Sequence, residues 1–430
     1  MPSPFDTSEQ TAHKLDAQDP LSQYRDRFYI PENTLYMDGN SLGLLCREAE
    51  NSLQRIFKEW KNLGIKGWME GRVPWFHFAE KAGEAAAELM GAESKAVIMG
   101  ASTTVNIHTL TASFYQPEGR RTKILSVLPD FPSDLYALKA QIKLKGGNPR
   151  KDLILVPGRD GRTLDEREII NRMTGETALV FLSSVLYRSG QLLDLPRLTR
   201  EARRKGIPIG FDCSHSAGVV PHHFDEWDVD FAVFCSYKYL NGGPGSPAFL
   251  YLNRRHFQRE PALAGWFGSR KQTQFDMSPN FDPAPSAGGW QISTPPLLSA
   301  APLEGSLRLI REAGITAVRK KSLLMTEYLL FLADEILSPP PCRFQTATPR
   351  EPDKRGGHIA LVHSREALRV SRALRARGVI PDFRPPDIIR LAPSPLYNSF
   401  YDIWKAVQHI QAVMDNREYE QFKQKRDNVS

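Results

Sequence analysis

The chain has 430 residues, of which 41% are hydrophobic and 24% charged, a composition typical of a globular protein. This length allows two or three domains, and no apolar run approaches the roughly 18 residues that suggest a membrane-spanning helix. The net charge is +7, but the basic clusters are short and dispersed, which favours solvent-exposed helix faces over a nucleic-acid partner. A site for small anions would explain the positive charge equally well. Because the N-terminal residues are polar, we expect a soluble cytoplasmic protein rather than a secreted or membrane protein.

Cysteine and histidine usage predicts no metal site. The chain has four cysteines, none of them in a C-x-x-C pair: Cys46, Cys213, Cys235 and Cys342. Two of them lie in or beside strand-like runs, so buried thiols are predicted in preference to disulfides or zinc ligands. His222 and His223 are adjacent, but no carboxylate cluster with ligand spacing accompanies them.

Through the first 300 residues, short apolar runs alternate with helix-like stretches. Strands are predicted over 122–128, 152–157, 177–185, 207–212, 230–236 and 247–253, with helices such as 134–145 and 196–205 between them. This alternation predicts an α/β fold with a mostly parallel sheet and helices on both faces. Ligands of such sheets bind outside the carboxyl ends of the strands.

The pattern changes near residue 300. A long helix is predicted over 302–337, followed by a proline-rich break, and then by a strand (357–363), a helix (365–377), a strand (387–392) and a helix (399–415). We therefore predict three parts: an N-terminal arm (1–35), a large domain (36–300) and a smaller α+β domain (301–430) with a frayed tail.

Two predicted strands end near complementary polar groups. The run IPIGFD ends at Asp212, and the next run, DFAVFCS, leads to Lys238 in SYKYLNGG. Adjacent parallel strands would bring this carboxylate and this amine to the same edge of the sheet. The pair is either a salt bridge or a pyridoxal phosphate (PLP) site, because a lysine can form the Schiff base while a carboxylate keeps the pyridine nitrogen protonated.

Two further segments suit a phosphate and a flat ring. The stretch GASTTVNIH opens a helical pattern, where free N–H groups and the hydroxyls of Thr103 and Thr104 could hold an anion; a plain helix cap is the alternative. In DFPSD, Phe131 could stack on a ring, or the segment is a proline turn in which Ser133 or Asp134 caps the next helix. The chain order of anion cradle, aromatic turn, aspartate and lysine favours PLP over four unrelated structural features.

From about residue 35 to residue 415 the chain resembles the kynureninases, PLP-dependent hydrolases of the aspartate-aminotransferase fold (fold type I). The stretches that carry this resemblance are YMDGNSLGL (36–44), STTVNIH (102–108), FPSD (131–134), YRSGQ (187–191), FDCSHSAG (211–218), SYKYLNGG (236–243), GWFG (265–268), ISTPP (292–296) and IRLAPSPLYNSF (389–400). The resemblance implies a fold type I enzyme with a seven-stranded type of sheet. It also implies hydrolysis of L-kynurenine, or its 3-hydroxy relative, to an anthranilate and L-alanine, in tryptophan degradation or NAD biosynthesis.

The resemblance further implies a role for individual residues. Lys238 carries the cofactor, Asp212 pairs with the pyridinium nitrogen, and Tyr237 is an acid–base group. The implied cofactor-binding residues are Thr103, Thr104, Phe131, Ser133, Asp134, Ser183, Asp212, His215, Tyr237, Lys238, Trp266 and Thr294. Trp266 and Thr294 are expected to reach the site across the interface of a homodimer, and many relatives have Asn at the position of Thr294.

The implied substrate-binding residues are Arg390, Trp68, Ser41 and Ser293. Arg390 is expected to clamp the α-carboxylate, since its planar fork matches a carboxylate. Trp68 either packs on the aromatic ring of the substrate or is a core residue. A flat side chain there favours the unhydroxylated ring, although Ser293 and Thr294 could supply a hydrogen bond to a ring hydroxyl.

Other functions stay open at this point. The motif GNSLG (39–43) matches the G-x-S-x-G elbow of serine hydrolases and would make Ser41 a nucleophile, but too little chain precedes it to build the sheet that the elbow needs. Another fold type I PLP enzyme, a cysteine desulfurase or an aminotransferase, is a second alternative. A desulfurase needs a reactive thiol on a mobile loop, for which Cys342 is the candidate. A nucleic-acid-binding or structural protein would leave Asp212, Lys238 and Arg390 without a role.

Overall fold

A seven-stranded sheet organises the larger part of the chain. The computed structural model describes residues 5–425, so the end of the predicted frayed tail, 426–430, lies outside the described residues. In their order across the sheet the strands are Val97–Met99, Phe249–Leu252, Phe231–Phe234, Ile209–Asp212, Thr177–Ser183, Lys123–Val127 and Leu153–Val156.

Phe249–Leu252 runs antiparallel to both of its neighbours, and the other adjacent pairs are parallel. The prediction of a mostly parallel sheet is confirmed. Every residue of Thr177–Ser183 is buried, as expected for a parallel strand that is covered on both faces. The edge strand Val97–Met99 was not among the predicted strands, because three residues are too few to show a period.

The helices lie between the strands and at both ends of the chain. Those of seven or more residues are Glu9–Ala17, Arg47–Leu63, Phe78–Leu89, Thr103–Phe114, Pro132–Leu144, Glu166–Arg172, Leu195–Arg204, Pro302–Ala313, Ile315–Leu332, Ala367–Ala376 and Phe400–Asp415. Four single-turn α-helices are Gly67–Glu70, Pro149–Asp152, Phe224–Trp227 and Leu297–Ala300. Within residues 5–425, no helix combines the length and the apolar character that crossing a membrane requires.

A smaller antiparallel sheet follows in the C-terminal part. Its four strands are, in order, Asp382–Arg384, Ile388–Leu391, Ile359–Val362 and Gln345–Thr346. It shares a second core with the helices Ala367–Ala376 and Phe400–Asp415. The predicted α+β pattern is therefore present. The short strand Leu35–Tyr36 pairs in parallel with Val379–Ile380, which joins the N-terminal segment to this part.

The long helix predicted over 302–337 is wrong in one respect, because the structure divides it at Gly314. This residue has φ 76° and ψ 124°, a left-handed conformation that glycine adopts without steric cost. Pro302–Ala313 ends before it and Ile315–Leu332 begins after it, followed by a π-helical turn, Ala333–Leu337. The first helix packs into the larger core and most of the second into the smaller one. The domain boundary at residue 300 stays a prediction.

Candidate active site

The carboxyl ends of three neighbouring parallel strands open into one cavity. Ser183 and Asp212 are the last residues of their strands, and the register places them directly side by side. Lys238 lies in the loop that follows Phe231–Phe234. The cavity is lined by Asn40, Ser41, Thr103, Thr104, Phe131, Ser133, Asp134, Ser183, Val185, Tyr187, Asp212, Ser214, His215, Tyr237, Lys238 and Arg384. The structure thus brings together most of the site residues that the sequence predicts.

Lys238 is oriented by a neutral histidine. Its Nζ lies 3.1 Å from His215 Nε2. Burial, reinforced by the positive charge of Lys238, lowers the pKa of His215 well below its usual value. A neutral imidazole can accept a hydrogen bond from the lysine ammonium. The Lys238 Nζ also lies 5.9 Å from the centroid of the Tyr237 ring.

Asp212 lies among buried carboxyl groups. Its Oδ1 accepts a hydrogen bond from the Ser214 N–H at 2.8 Å. Burial, followed by repulsion from Asp212, raises the pKa of Asp134 well above its usual value, so Asp134 binds a proton more readily than an ordinary carboxyl group does. Burial raises the pKa of Asp130 to about 6, and Asp130 accepts hydrogen bonds from the Ser183 hydroxyl and the Phe131 N–H.

The part of the cavity formed by Thr103, Thr104 and Ser133 suits an anion. Thr103 is the first residue of Thr103–Phe114, and its hydroxyl is buried with no hydrogen-bond partner among the described residues. Thr104 Oγ1 lies 2.7 Å from Ser133 Oγ, at the start of Pro132–Leu144. Buried hydroxyls are almost always hydrogen-bonded. An unpartnered hydroxyl beside the free N–H groups of a helix N-terminus therefore fits a phosphate.

The rings of Phe131, Tyr187 and Tyr237 border the cavity. Phe131 is exposed, and its ring packs edge-on against Tyr187 with 5.5 Å between centroids. Burial raises the pKa of the Tyr237 phenol, so this group keeps its proton at neutral pH. A face for a flat ring and a protonated phenol are thus present at the same site.

Arg390 is fully buried behind the cavity. Its Nε and Nη2 contact Asp382, its Nη1 donates to the Tyr187 carbonyl at 2.7 Å, and its Nη2 lies 3.4 Å from Ser41 Oγ. Asp382 and Arg390 are paired across adjacent antiparallel strands. Ser41 is therefore the link between Arg390 and the cavity.

Four predicted site residues lie away from this cavity in the single chain. Trp68 packs against Trp75 and Phe267 with ring centroids 6.0 and 6.1 Å apart. Trp266 is 44% exposed and donates its indole N–H to the Gln274 carbonyl. Ser293 and Thr294 are exposed. Their implied roles stay predictions.

Cys342 and His222, which could have served a desulfurase or a metal site, have structural surroundings. Cys342 is 1% exposed in the smaller core, and burial raises the pKa of its thiol to about 11. It therefore lacks the accessible thiolate of a desulfurase. Burial lowers the pKa of His222 to about 3, and its Nε2 contacts Ser216 Oγ. No group of three or more candidate metal ligands occurs in the described part of the chain.

Five cavity residues were not predicted as site residues: Asn40, Val185, Tyr187, Ser214 and Arg384. Four of them lie in or beside stretches that carry the family resemblance, and that position is the signal that could have found them. Arg384 is an exception, since it lies on a short strand outside those stretches.

Solved structures with a similar fold include cysteine desulfurases and a cystine C-S lyase. The apo cysteine desulfurase from Thermococcus onnurineus NA1 matches with a TM-score of 0.78 at 17% identity, covering 92% of this chain and 98% of that one. A mutant C-DES with glycine covalently linked to its PLP cofactor also matches with a TM-score of 0.78 at 17% identity, covering 91% and 98%. These likenesses establish the fold alone, which is that of fold type I.

Sequence comparison identifies the family. The model of the kynureninase C-terminal domain matches residues 318–410. A kynureninase from Geobacillus thermodenitrificans is 52% identical over 97% of both chains, and one from Bacillus cereus (strain ATCC 14579) is 52% identical over 99% of both. A third, from Shouchella clausii, is 49% identical over 98% of both. With this identity along nearly the whole chain, and with the lysine, aspartate and anion cradle in one cavity, the chain belongs to the kynureninase family.

Proposed function

We propose that the protein hydrolyses the Cβ–Cγ bond of L-kynurenine, releasing anthranilate and L-alanine. The observation that carries this proposal is the convergence of Lys238, Asp212 and the unpartnered Thr103 hydroxyl in one cavity of a kynureninase-family chain. A cysteine desulfurase function is disfavoured by the burial of all four cysteines. A serine hydrolase is disfavoured because Ser41 Oγ contacts Arg390 and not a histidine.

The residues of the cavity fit PLP. Thr103, Thr104 and Ser133 would hold its phosphate at the two helix N-termini. Asp212 would bind the protonated ring nitrogen, and Asp134, whose pKa is raised by burial and by Asp212, lies beside it. When bound, PLP supplies an electron sink for the bonds at the substrate α-carbon.

Further contacts complete the cofactor set. Phe131 provides a face for the ring, and Ser183 and His215 border the same space. Ser183 donates to Asp130, which fixes its hydroxyl beside Asp212. These three assignments follow from position in the cavity and from the family resemblance.

Proton transfer is assigned to two residues. Lys238 would attach the cofactor and, once released by substrate, remove the α-proton, with the neutral His215 orienting its amine. Tyr237 would deliver or accept a proton at the γ-carbonyl as water adds there, because its raised pKa keeps the phenol protonated. Both groups lie in the one loop after Phe231–Phe234, which favours concerted positioning.

The substrate carboxylate is assigned to the arginine side of the cavity. Arg390 would reach it through the nitrogen beside Ser41. Trp68 and Ser293 remain candidates for the aromatic ring, and we propose kynurenine in preference to 3-hydroxykynurenine on the basis of the flat Trp68 side chain. The anthranilate so formed would serve tryptophan degradation, and a 3-hydroxyanthranilate product would serve NAD biosynthesis.

We also propose a homodimer with shared active sites. Trp266, Phe275 and Met277 are all exposed, and the rings of Trp266 and Phe275 pack edge-on at 5.3 Å. An exposed apolar cluster of this kind marks an interaction surface. A second copy seated there would bury it, and Trp266 and Thr294 could then reach the partner's cofactor. The four buried free thiols suit the reducing cytoplasm, the proposed location.

Product analysis tests the reaction. Purified enzyme loaded with PLP should convert L-kynurenine to anthranilate and L-alanine in equal amounts, with a lower catalytic efficiency on 3-hydroxykynurenine. Lys238→Ala, a folded control without the reacting amine, should form neither product. Absence of cleavage by the parent enzyme with either substrate would overturn the proposed function.

Dimer formation has its own test. Light scattering should give a dimer, and mixing Lys238→Ala subunits with Trp266→Ala subunits should restore part of the activity. A fully active monomer would contradict shared sites.

A further inference from the structure

Arg384 presents a free guanidinium fork to the cavity. It lines the cavity, and its side chain is 30% exposed. Its Nε donates to Asp382 Oδ2 at 2.9 Å. Within residues 5–425 its two terminal nitrogens make no hydrogen bond. An arginine with one anchored and two unused donors is poised to bind an anion.

The neighbouring Arg390 is in the opposite state. Its side chain is 0% exposed, and its three nitrogens contact Asp382, the Tyr187 carbonyl and Ser41. A carboxylate entering the cavity would have to compete with these partners for Arg390. The terminal nitrogens of Arg384 can be reached without breaking a bond.

The strands explain how the two arginines come to share one carboxylate. Asp382 and Arg384 are two residues apart on the strand Asp382–Arg384, so their side chains lie on the same face. Arg390 is the cross-strand partner of Asp382. One carboxylate, Asp382, therefore contacts both guanidinium groups, and Asp38 is a further carboxyl group close to both of them.

We propose that Arg384 is a second substrate-binding residue, whose terminal nitrogens donate to the α-carboxylate alongside the Arg390 nitrogen that lies beside Ser41. The inference rests on the proposed function, because it takes the carboxylate to be that of the kynurenine and alanine backbone. Tyr187, whose ring centroid lies 6.0 Å from Arg384 Cζ, limits the directions in which the fork can point. Arg384 would contact the α-carboxylate directly, which differs from an indirect effect in which Arg384 only positions Asp382.

Paired ligands measure the contact with the carboxylate. L-Alanine carries the negative charge that Arg384 would bind, and L-alaninamide lacks it. The ratio of their inhibition constants against kynurenine cleavage therefore measures how much this charge contributes to binding. The parent enzyme should prefer alanine. Arg384→Gln should lower this preference by about 10- to 150-fold, the range expected for one hydrogen bond to a charged group. Arg384→Lys should retain part of it, because it keeps the charge.

Arg162→Gln is the matched control. Arg162 is paired with Asp387 near the same strands and does not line the cavity, so its removal should leave the ratio unchanged. Binding of L-alanine and of L-alaninamide to the PLP-loaded enzyme is also measured by titration, followed by absorption, which does not depend on turnover. The melting temperature confirms that each variant is folded.

The outcomes separate the inference from the proposed function. An active Arg384→Gln variant that keeps the full preference for alanine over alaninamide would overturn the inference. An equal loss of this preference in Arg384→Lys and Arg384→Gln would also overturn it, because that result indicates a positioning role through Asp382. A parent enzyme that distinguishes alanine from alaninamide through Arg384 but does not cleave kynurenine would overturn the proposed function and leave the arginine contact standing.

Discussion

Gly43 packs against the loop that carries Lys238, and an alanine at this position should displace that loop. The Gly43 N–H donates to the Tyr237 carbonyl at 2.7 Å. A Cβ at position 43 would lie 2.3 Å from the Lys238 carbonyl oxygen and 2.2 Å from Asn241 Oδ1. Both distances are far inside van der Waals contact, and a backbone carbonyl cannot turn away as a flexible side chain can. The turn GNSLG therefore supports the lysine loop.

The size of the effect follows from these contacts. Overpacking costs typically about 1–3 kcal/mol, and a clash with backbone belongs at the upper end of that range. Misplacing a reacting group by about 1 Å can cost roughly 100-fold in rate. Gly43→Ala should therefore lower kcat/KM for kynurenine by about 100-fold and also lower the melting temperature.

Steady-state kinetics and thermal unfolding measure both effects. Gly175→Ala is the control, because the three atoms nearest to its added Cβ all belong to the flexible end of the Arg120 side chain, the nearest of them 3.2 Å away. It should behave like the parent enzyme. A Gly43→Ala variant with parental kcat/KM would refute the reasoning that this turn holds Lys238 in place.

Three further changes test individual side chains. Asp212→Ala should weaken PLP retention by at least about 100-fold, since removing one partner of a buried ion pair costs roughly 3–5 kcal/mol; equilibrium dialysis measures it, and unchanged retention and turnover would make Asp212 a structural carboxylate. Arg390→Lys keeps the charge but loses the planar fork, so kcat/KM should fall by about 10- to 150-fold, since one hydrogen bond to a charged group contributes about 1.5–3 kcal/mol. The absorption spectrum of the cofactor should stay the same. A variant that loses the cofactor and keeps its affinity for substrate would contradict the role of Arg390. Burial, followed by repulsion from Asp382, raises the pKa of Asp38 to about 6, so the folded state binds this proton more tightly than the unfolded chain does. The contribution of this proton to the free energy of unfolding is therefore lost as the pH rises from about 4 to about 6. Asp38→Asn should remove that pH dependence from urea unfolding, and superimposable profiles for variant and parent would exclude it.

The central strands and the lysine–aspartate pair are predictable because they are local. Each strand is a short apolar run, and the parallel order fixes which ends meet, so Asp212 and Lys238 could be placed at one edge from the chain order alone. The anion cradle is predictable for a different reason, because a glycine and small hydroxyl residues open a helical pattern at Thr103.

The rest depends on contacts between distant segments. The break at Gly314 interrupts a pattern that reads as one helix, because apolar residues continue on both sides of it. Arg384 lines the cavity although it lies on a strand of the smaller sheet. A strand of three residues is too short to show a period from which this position could be predicted. The predicted partner contacts of Trp266 and Thr294 depend on a second chain.

Reduction with borohydride tests the central claim most directly, because it makes the link between PLP and its lysine permanent. Peptide mapping of the reduced enzyme should find the cofactor mass on the peptide that contains Lys238. Lys238→Ala should carry none, and prior incubation of the parent enzyme with excess L-kynurenine should reduce the labelling. A label on a different lysine, with Lys238 unmodified in a fully active enzyme, would contradict the account.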